Sequence, residues 1–158
     1  MKTTLFQEVC ALLLSYIIAF SIVMLLLVYT LNVPGLLTGR QDLVDEYYQT
    51  RFSTTIPFDL LLVFAYLALA QLVVYKFDLN SLVARLGVVV LTTIVISGYF
   101  YNMYLSYPEN KHSFFSRWFY GVGLWAVLYD TIFLATTYAV MVYIRTYNMY
   151  ISNRCVGQ

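Results

Sequence analysis

Charged side chains are scarce in this chain. Only 11% of its 158 residues are Asp, Glu, Lys or Arg, whereas 61% are hydrophobic, and a soluble domain carries about twice that share of charge. The nine basic residues nearly balance the eight acidic ones, and they form no basic cluster that would attract nucleic acid. The composition therefore favours a protein whose main solvent is a lipid bilayer.

Residues for metal, redox or covalent chemistry are equally few. The chain has one histidine, His112, and two cysteines, Cys10 and Cys155. Zinc, haem and thiol-oxidoreductase sites need clusters of His and Cys or a Cys-x-x-Cys pair, so we expect no metal, no cofactor and no enzymatic activity. The two thiols are predicted to stay unpaired, with acylation near the membrane surface as the alternative.

Long apolar runs, in contrast, fill most of the chain. A helix needs about 20 apolar residues to cross about 30 Å of hydrocarbon. The first run is too long for a signal-peptide core and no Ala-x-Ala-like site follows it, so we expect it to be retained. The sequence predicts an all-α integral membrane four-helix bundle in a single domain, residues 1–158, with spans at about 8–31, 56–77, 81–107 and 114–145.

One long loop and a tail are predicted outside these spans, at residues 32–57 and 146–158. Apolar residues at near-helical spacing within the loop predict a short amphipathic helix, lying along the membrane interface or docked on a partner. Thr38 and Gln41 have the spacing of a capping box. Short connections elsewhere predict that the second, third and fourth spans are antiparallel neighbours.

The predicted ends of the second and third spans depend on single polar residues. Thr55 is expected to cap the second span, with Asp59 in its first turn and the carboxylate turned towards water. Asn80 is expected to cap the third span. Pro108 should end that span, because the residue before a proline is disfavoured in a helix.

The predicted orientation in the membrane depends on a small difference in the number of basic residues on its two sides. Five lie on the side that holds both termini, and four lie on the other, which favours cytoplasmic termini. The five are Lys2, Lys76, Arg85, Arg145 and Arg154, and the four are Arg40, Arg51, Lys111 and Arg117. Tyr and Trp gather near the predicted span ends, Tyr150 among them, as expected of residues at the headgroup level.

Asp130 is the one carboxylate near the middle of a predicted span. Inserting it costs about 2.5–3.5 kcal/mol, whereas one interhelical hydrogen bond returns about 0.6 kcal/mol. We therefore expect the Asp130 carboxyl to be protonated, to accept several hydrogen bonds or to be hydrated. Candidate partners at similar depth include Gln71, Thr93 and Ser97.

The same span offers a face of small and polar residues for helix packing. Gly123, Asp130 and Thr137 recur at intervals of seven with Ala126 between them, a pattern typical of packed membrane helices. Three interpretations of Asp130 follow: a buried polar network that holds the bundle together, an ion or proton site, or a contact with a span of a second protein.

The stretch Ser113-Phe-Phe-Ser-Arg-Trp-Phe-Tyr-Gly-Val-Gly-Leu-Trp-Ala-Val-Leu-Tyr-Asp130-Thr-Ile resembles the last span of small multi-span virion membrane proteins of large eukaryotic DNA viruses. The resemblance covers mainly this segment of 20 residues, about an eighth of the chain. It implies a structural protein of an internal membrane beneath an icosahedral capsid, and it carries no known functional residues.

The first functional hypothesis is a non-enzymatic scaffold that organises a membrane or tethers it to a protein shell. The bilayer is then one partner, and other membrane or capsid proteins would bind through 32–57 and 145–158; self-association is left open. The alternative is a small ion or proton channel or transporter that uses Asp130, with Gln71, Thr93 and Ser97 along the path. A third possibility is an accessory subunit of another membrane protein.

Overall fold

The all-α prediction is confirmed. A computed structural model describes the backbone of residues 5–156 and the side chains of residues 7–147, and within these ranges every regular element is a helix. The side chains of Lys2, Tyr150, Arg154 and Cys155, which enter the predictions of orientation and acylation, lie outside the described residues.

Four helices are long and apolar enough to cross a membrane. The first consists of α1 (Leu5–Val23) and a π-helical continuation, Met24–Thr30. The others are α4 (Phe52–Lys76), α5 (Leu82–Leu105) and the first 24 residues of α7 (Leu124–Val156), from Leu124 to Tyr147. Many large apolar side chains point outward from these helices, among them Leu61, Leu91 and Val95, at 70%, 64% and 68% exposed. Such surfaces are suited to contact with lipid.

The predicted loop 32–57 is largely folded. It contains α2 (Val33–Thr38), α3 (Gln41–Asp45) and a π-helical continuation, Glu46–Thr50. The capping box does not form, because Gln41 bonds to Asn32 and Asp45 while Thr38 accepts the backbone N–H of Arg40 at 3.2 Å.

Two helix starts differ from the prediction. Helix α4 begins at Phe52, four residues before the expected start, and the Thr55 hydroxyl donates to the carbonyls of Tyr47 and Arg51 instead of capping a helix. Helix α5 is capped by Ser81, whose hydroxyl accepts the N–H of Ala84, while Asn80 bonds to Asp78. Serine lies one residue closer to the helical run than Asn80, so it reaches the free N–H groups first.

The fourth predicted span is two helices. A short helix, α6 (Phe114–Val122), ends at Gly123, and α7 starts at the next residue. Gly123 has φ +64° and ψ −144°, a backbone conformation that is open essentially to glycine alone. A single helix over 114–145 is therefore a wrong prediction, and the reason is the conformation that Gly123 permits.

Helix α7 packs mainly on α5 and α1, and α4 packs mainly on α5. Ala126 and Thr137 are buried in this interface, at 1% and 0% exposed. Gly123 does not serve helix packing, because a Cβ added there would meet no atom within 4 Å. The close approach occurs at Gly121, where a Cβ would come within 3.0 Å of the side chains of Arg40 and Leu43.

Candidate functional site

A cavity of about 160 Å³ lies among α4, α5 and α7. It occupies the half of the bundle nearest the folded segment 33–51, and side chains from that segment and from α6 complete its wall. Eleven of its seventeen lining residues are aromatic, two are acidic and none is Lys, Arg or His. The lining residues are Tyr47, Tyr48, Phe58, Asp59, Leu62, Val63, Tyr66, Ser97, Phe100, Tyr104, Phe115, Trp118, Phe119, Tyr129, Asp130, Phe133 and Leu134.

Asp59 lies on the wall of this cavity, and the prediction that it turns to water is wrong. The hydroxyl of Tyr47 donates to Asp59 Oδ1 over 2.5 Å. Because α4 starts at Phe52, Asp59 sits about two turns into the helix. The segment that carries Tyr47 then covers this face of α4. Sequence analysis missed this residue because it placed the helix start too late.

Asp130 lines the same cavity from α7. The hydroxyl of Ser97 on α5 donates to Asp130 Oδ2 over 2.7 Å, and the Tyr66 hydroxyl of α4 lies 3.2 Å from Ser97 Oγ. A chain of two hydrogen bonds, from Tyr66 to Ser97 and from Ser97 to Asp130, thus joins α4, α5 and α7. Asp59 and Asp130 are also close enough for their charges to interact.

A pair of tyrosines forms a second polar contact beside the carboxyls. The hydroxyls of Tyr48 and Tyr129 lie 2.9 Å apart, and both side chains are buried. Burial raises the pKa of the Tyr47 and Tyr48 phenols well above their usual value, and the neighbouring Asp59 carboxylate raises the pKa of Tyr47 further. Both phenols therefore remain neutral hydrogen-bond donors at any physiological pH.

Of the partners predicted for Asp130, the structure brings Ser97 to it and leaves the others apart. The hydroxyls of Thr93 and Thr137 donate to the carbonyls of Val89 and Phe133, four residues earlier in their own helices, over 2.8 Å each. This local bond satisfies a buried hydroxyl without any neighbour. Gln71 is exposed on α4, with Oε1 3.5 Å from the Tyr138 hydroxyl.

Beside the cavity, the short helices form a compact unit that we call the cap, defined as residues 33–51 and 114–122. Its centre is Glu46, whose carboxylate accepts hydrogen bonds from Arg117 at 2.6 Å and Arg51 at 3.0 Å. The bond from Arg117, followed by that from Arg51, holds the pKa of Glu46 below its usual value against the opposing effect of desolvation. Both guanidinium groups also lie within 6 Å of the Phe114 ring, at 5.7 and 5.8 Å from its centroid.

The outer surface of the cap carries charges of both signs. Arg40 and Asp42 form a 2.9 Å ion pair. They border a surface cleft of about 270 Å³ that Glu109, Arg117 and Tyr120 also line. This cleft is polar, in contrast to the aromatic cavity below it.

The cavity offers carboxyl hydrogen-bond acceptors and aromatic rings, whereas the outer cleft offers charges of both signs. Within residues 7–147, no group of three His, Cys, Asp or Glu side chains is placed to hold a metal ion. The signals that the sequence held for Tyr47 and Tyr66 were only their type, since nothing local shows that they meet Asp59 and Ser97 across the fold. No protein-family model, curated protein sequence or solved structure matches the chain.

Proposed function

We propose that this protein is a non-enzymatic, multi-pass membrane protein with a structural role, which organises a membrane or links it to a protein layer through the cap. The observation that carries the proposal is the double anchoring of Glu46 by Arg51 and Arg117. Arg51 lies in the same segment as Glu46 and orders it locally, while the bond from Arg117 fixes this segment, between the first two spans, onto α6. The protein would thus bear a folded platform beside the spans.

A folded platform suits a tethering role for an energetic reason. Ordering a flexible loop on binding costs free energy, and a surface that is already ordered avoids that cost. The platform also presents groups for a protein partner: Leu36 is 77% exposed on α2, close in sequence to the Arg40–Asp42 pair. The resemblance of residues 113–132 to spans of virion membrane proteins favours a viral inner membrane, with the capsid as the protein layer.

Site-specific photocrosslinking in the native membrane tests this role. A photoreactive residue at Leu36 should form adducts with protein, whereas one at Leu91, which is 64% exposed on the outer face of α5, should form adducts with lipid. Lipid adducts at both positions would contradict a tethering surface on the cap. Deleting the protein should also leave the membrane detached from its protein layer in electron micrographs.

A second candidate function, an ion or proton path, is favoured by one specific observation. Asp59 and Asp130 line the same cavity from different spans, and intramembrane carboxyls mark ion or proton pathways in other membrane proteins. Proton or cation flux into liposomes that is abolished by Asp130→Asn would support this function over the structural one. Flux equal to that of empty liposomes would contradict an ion or proton path.

A further inference from the structure

The carboxyls of the cavity have unused capacity to accept hydrogen bonds. Among the described side chains, Asp59 receives a hydrogen bond only from Tyr47, and Asp130 receives one only from Ser97. A carboxylate has about four acceptor positions. The second oxygen of each carboxyl is therefore free to accept from a group in the cavity, and none of the seventeen described lining residues is basic.

Aromatic rings favour the same sign of charge wherever a ring face borders the cavity. Ring faces carry negative potential and attract ammonium groups, more strongly where water is excluded. Several of these rings are held in place by one another: Tyr47 stacks against Trp118 at 5.8 Å between centroids, and Tyr104 stacks against Phe119 at 5.0 Å. A bound molecule would therefore contact rings whose positions are already fixed by their neighbours.

The size of the cavity limits the occupant. A cavity of about 150 Å³ that is lined only by apolar groups holds benzene, and this one measures about 160 Å³. It thus suits a body of about the size of one aromatic ring. Ca²⁺ would need six to eight oxygen ligands, which this mainly aromatic lining does not supply, and two carboxyls repel an anion.

We propose that the cavity between Asp59 and Asp130 is a binding site for an organic monocation, an ammonium group carried on a small apolar body. The ammonium group would donate to the free carboxylate oxygens while the apolar body packs against the rings. Two sources share this chemistry, namely a free amine and the amine headgroup of a lipid. This site is independent of the structural role proposed for the cap.

The two tryptophans of the chain make the binding measurable. Trp118 lines the cavity, whereas Trp125 is 52% exposed on the outside of α7. In a Trp125→Phe background, the fluorescence of Trp118 reports on the cavity alone. Titrating benzylammonium in uncharged maltoside micelles should change this fluorescence saturably. Benzyl alcohol, a neutral molecule of nearly the same shape, should bind at least about tenfold more weakly, because it lacks the charge-assisted bond.

Variants then assign the effect to the carboxyls. Asp59→Asn and Asp130→Asn should each weaken benzylammonium binding at least about tenfold, while benzyl alcohol binding changes little. Asp78→Asn is the matched control, since it removes a carboxylate outside the cavity at a left-handed backbone position (φ +49°) that asparagine tolerates. Circular dichroism melts identify any variant that fails to fold.

Two results would overturn the proposal that the cavity binds an organic monocation. Equal affinity for the ammonium and the alcohol, or no saturable change with either, overturns the proposal without need of any variant. Benzylammonium binding that is the same in Asp59→Asn and Asp130→Asn as in Asp78→Asn overturns it as well. Adding phosphatidylethanolamine to the micelles distinguishes the sources: competition assigns the site to a lipid headgroup, and unchanged binding assigns it to a free amine.

Discussion

The phenol of Tyr47 donates a 2.5 Å hydrogen bond to the carboxylate of Asp59, which joins the segment before α4 to the cavity inside the bundle. Tyr47 is buried against Phe114 and Trp118 of α6, with ring centroids at 5.1 and 5.8 Å. One side chain therefore links the cap to a span. The cap is thereby part of the wall of the cavity.

Removing the Tyr47 hydroxyl should lower the stability of the folded protein. Tyr47→Phe leaves the Asp59 carboxyl without its donor, and a buried acceptor that loses its partner costs about 1–3 kcal/mol. We expect a lower thermal midpoint in detergent. Tyr120→Phe, which loses the bond of an exposed hydroxyl to the carbonyl of Tyr107, is the control and should change the midpoint little. Equal losses in the two variants would contradict a special role for the Tyr47 bond.

At Asp130, an amide should be tolerated better than an alkyl side chain. In Asp130→Asn the amide oxygen still accepts from Ser97, so a thermal midpoint near that of the unmodified protein is expected. Asp130→Leu removes every acceptor and leaves the buried Ser97 hydroxyl without this partner, with an expected loss of about 1–3 kcal/mol. Identical melting curves for the unmodified protein and the Leu variant would exclude a stabilising network at this position.

Loss of Arg117 should loosen the cap without unfolding the spans. Arg117→Ala removes the hydrogen bond to Glu46 and the contact with Phe114. Pairs of this exposure contribute up to about 1 kcal/mol, so amide hydrogen exchange within 41–50 should accelerate on the order of fivefold. Exchange within α5 should stay unchanged. Lys111→Ala, at an exposed position in the loop before α6, is the control and should leave the cap as protected as before.

The cap should also respond to acid through Glu46. Because the pKa of Glu46 is lower in the folded protein than its usual value of 4.5, the stabilisation is complete above that value and is lost as the pH falls through the folded pKa. Exchange of the cap amides should therefore accelerate in this acidic range relative to Glu46→Gln, whose residue 46 does not titrate. A parallel response of both proteins would assign the acid sensitivity to other groups.

Two glycines allow backbone conformation to be tested separately from packing. A Cβ at Gly98 or at Gly123 would meet no atom within 4 Å, but only Gly123 has a positive φ. Gly123→Ala should cost about 1–3 kcal/mol, whereas Gly98→Ala within α5 should stabilise by about 0.5–1 kcal/mol. Thermal melts of the two variants should thus shift in opposite directions. A gain in both would show that residue 123 can join α6 and α7 into one helix.

The four apolar spans could be predicted from the sequence, because hydrophobic run length is read along the chain. Depth in the membrane placed Ser97 among several candidate partners of Asp130 but did not single it out. The position of the second carboxyl could not be predicted. Asp59 reaches the cavity only because α4 starts at Phe52 and because Tyr47 packs over it, and both facts depend on tertiary packing.

Gly123 was misinterpreted for a related reason, since a glycine in an apolar run is typical of close packing and of a chain turn alike. The bonds of Thr93 and Thr137 to their own helices left no trace in the residue pattern.

Gly123 also decides how mechanical force would pass through the molecule. Since α6 and α7 are not one continuous rod, a pull on α6 cannot be transmitted along an unbroken helix axis into the bilayer. The pull reaches α7 through the backbone at Gly123, where the helix axis changes, and it reaches α4 through side-chain contacts such as Tyr47 with Asp59. A change in the angle between α6 and α7 at Gly123 would thus move the cap while the helix of α7 stays unbroken.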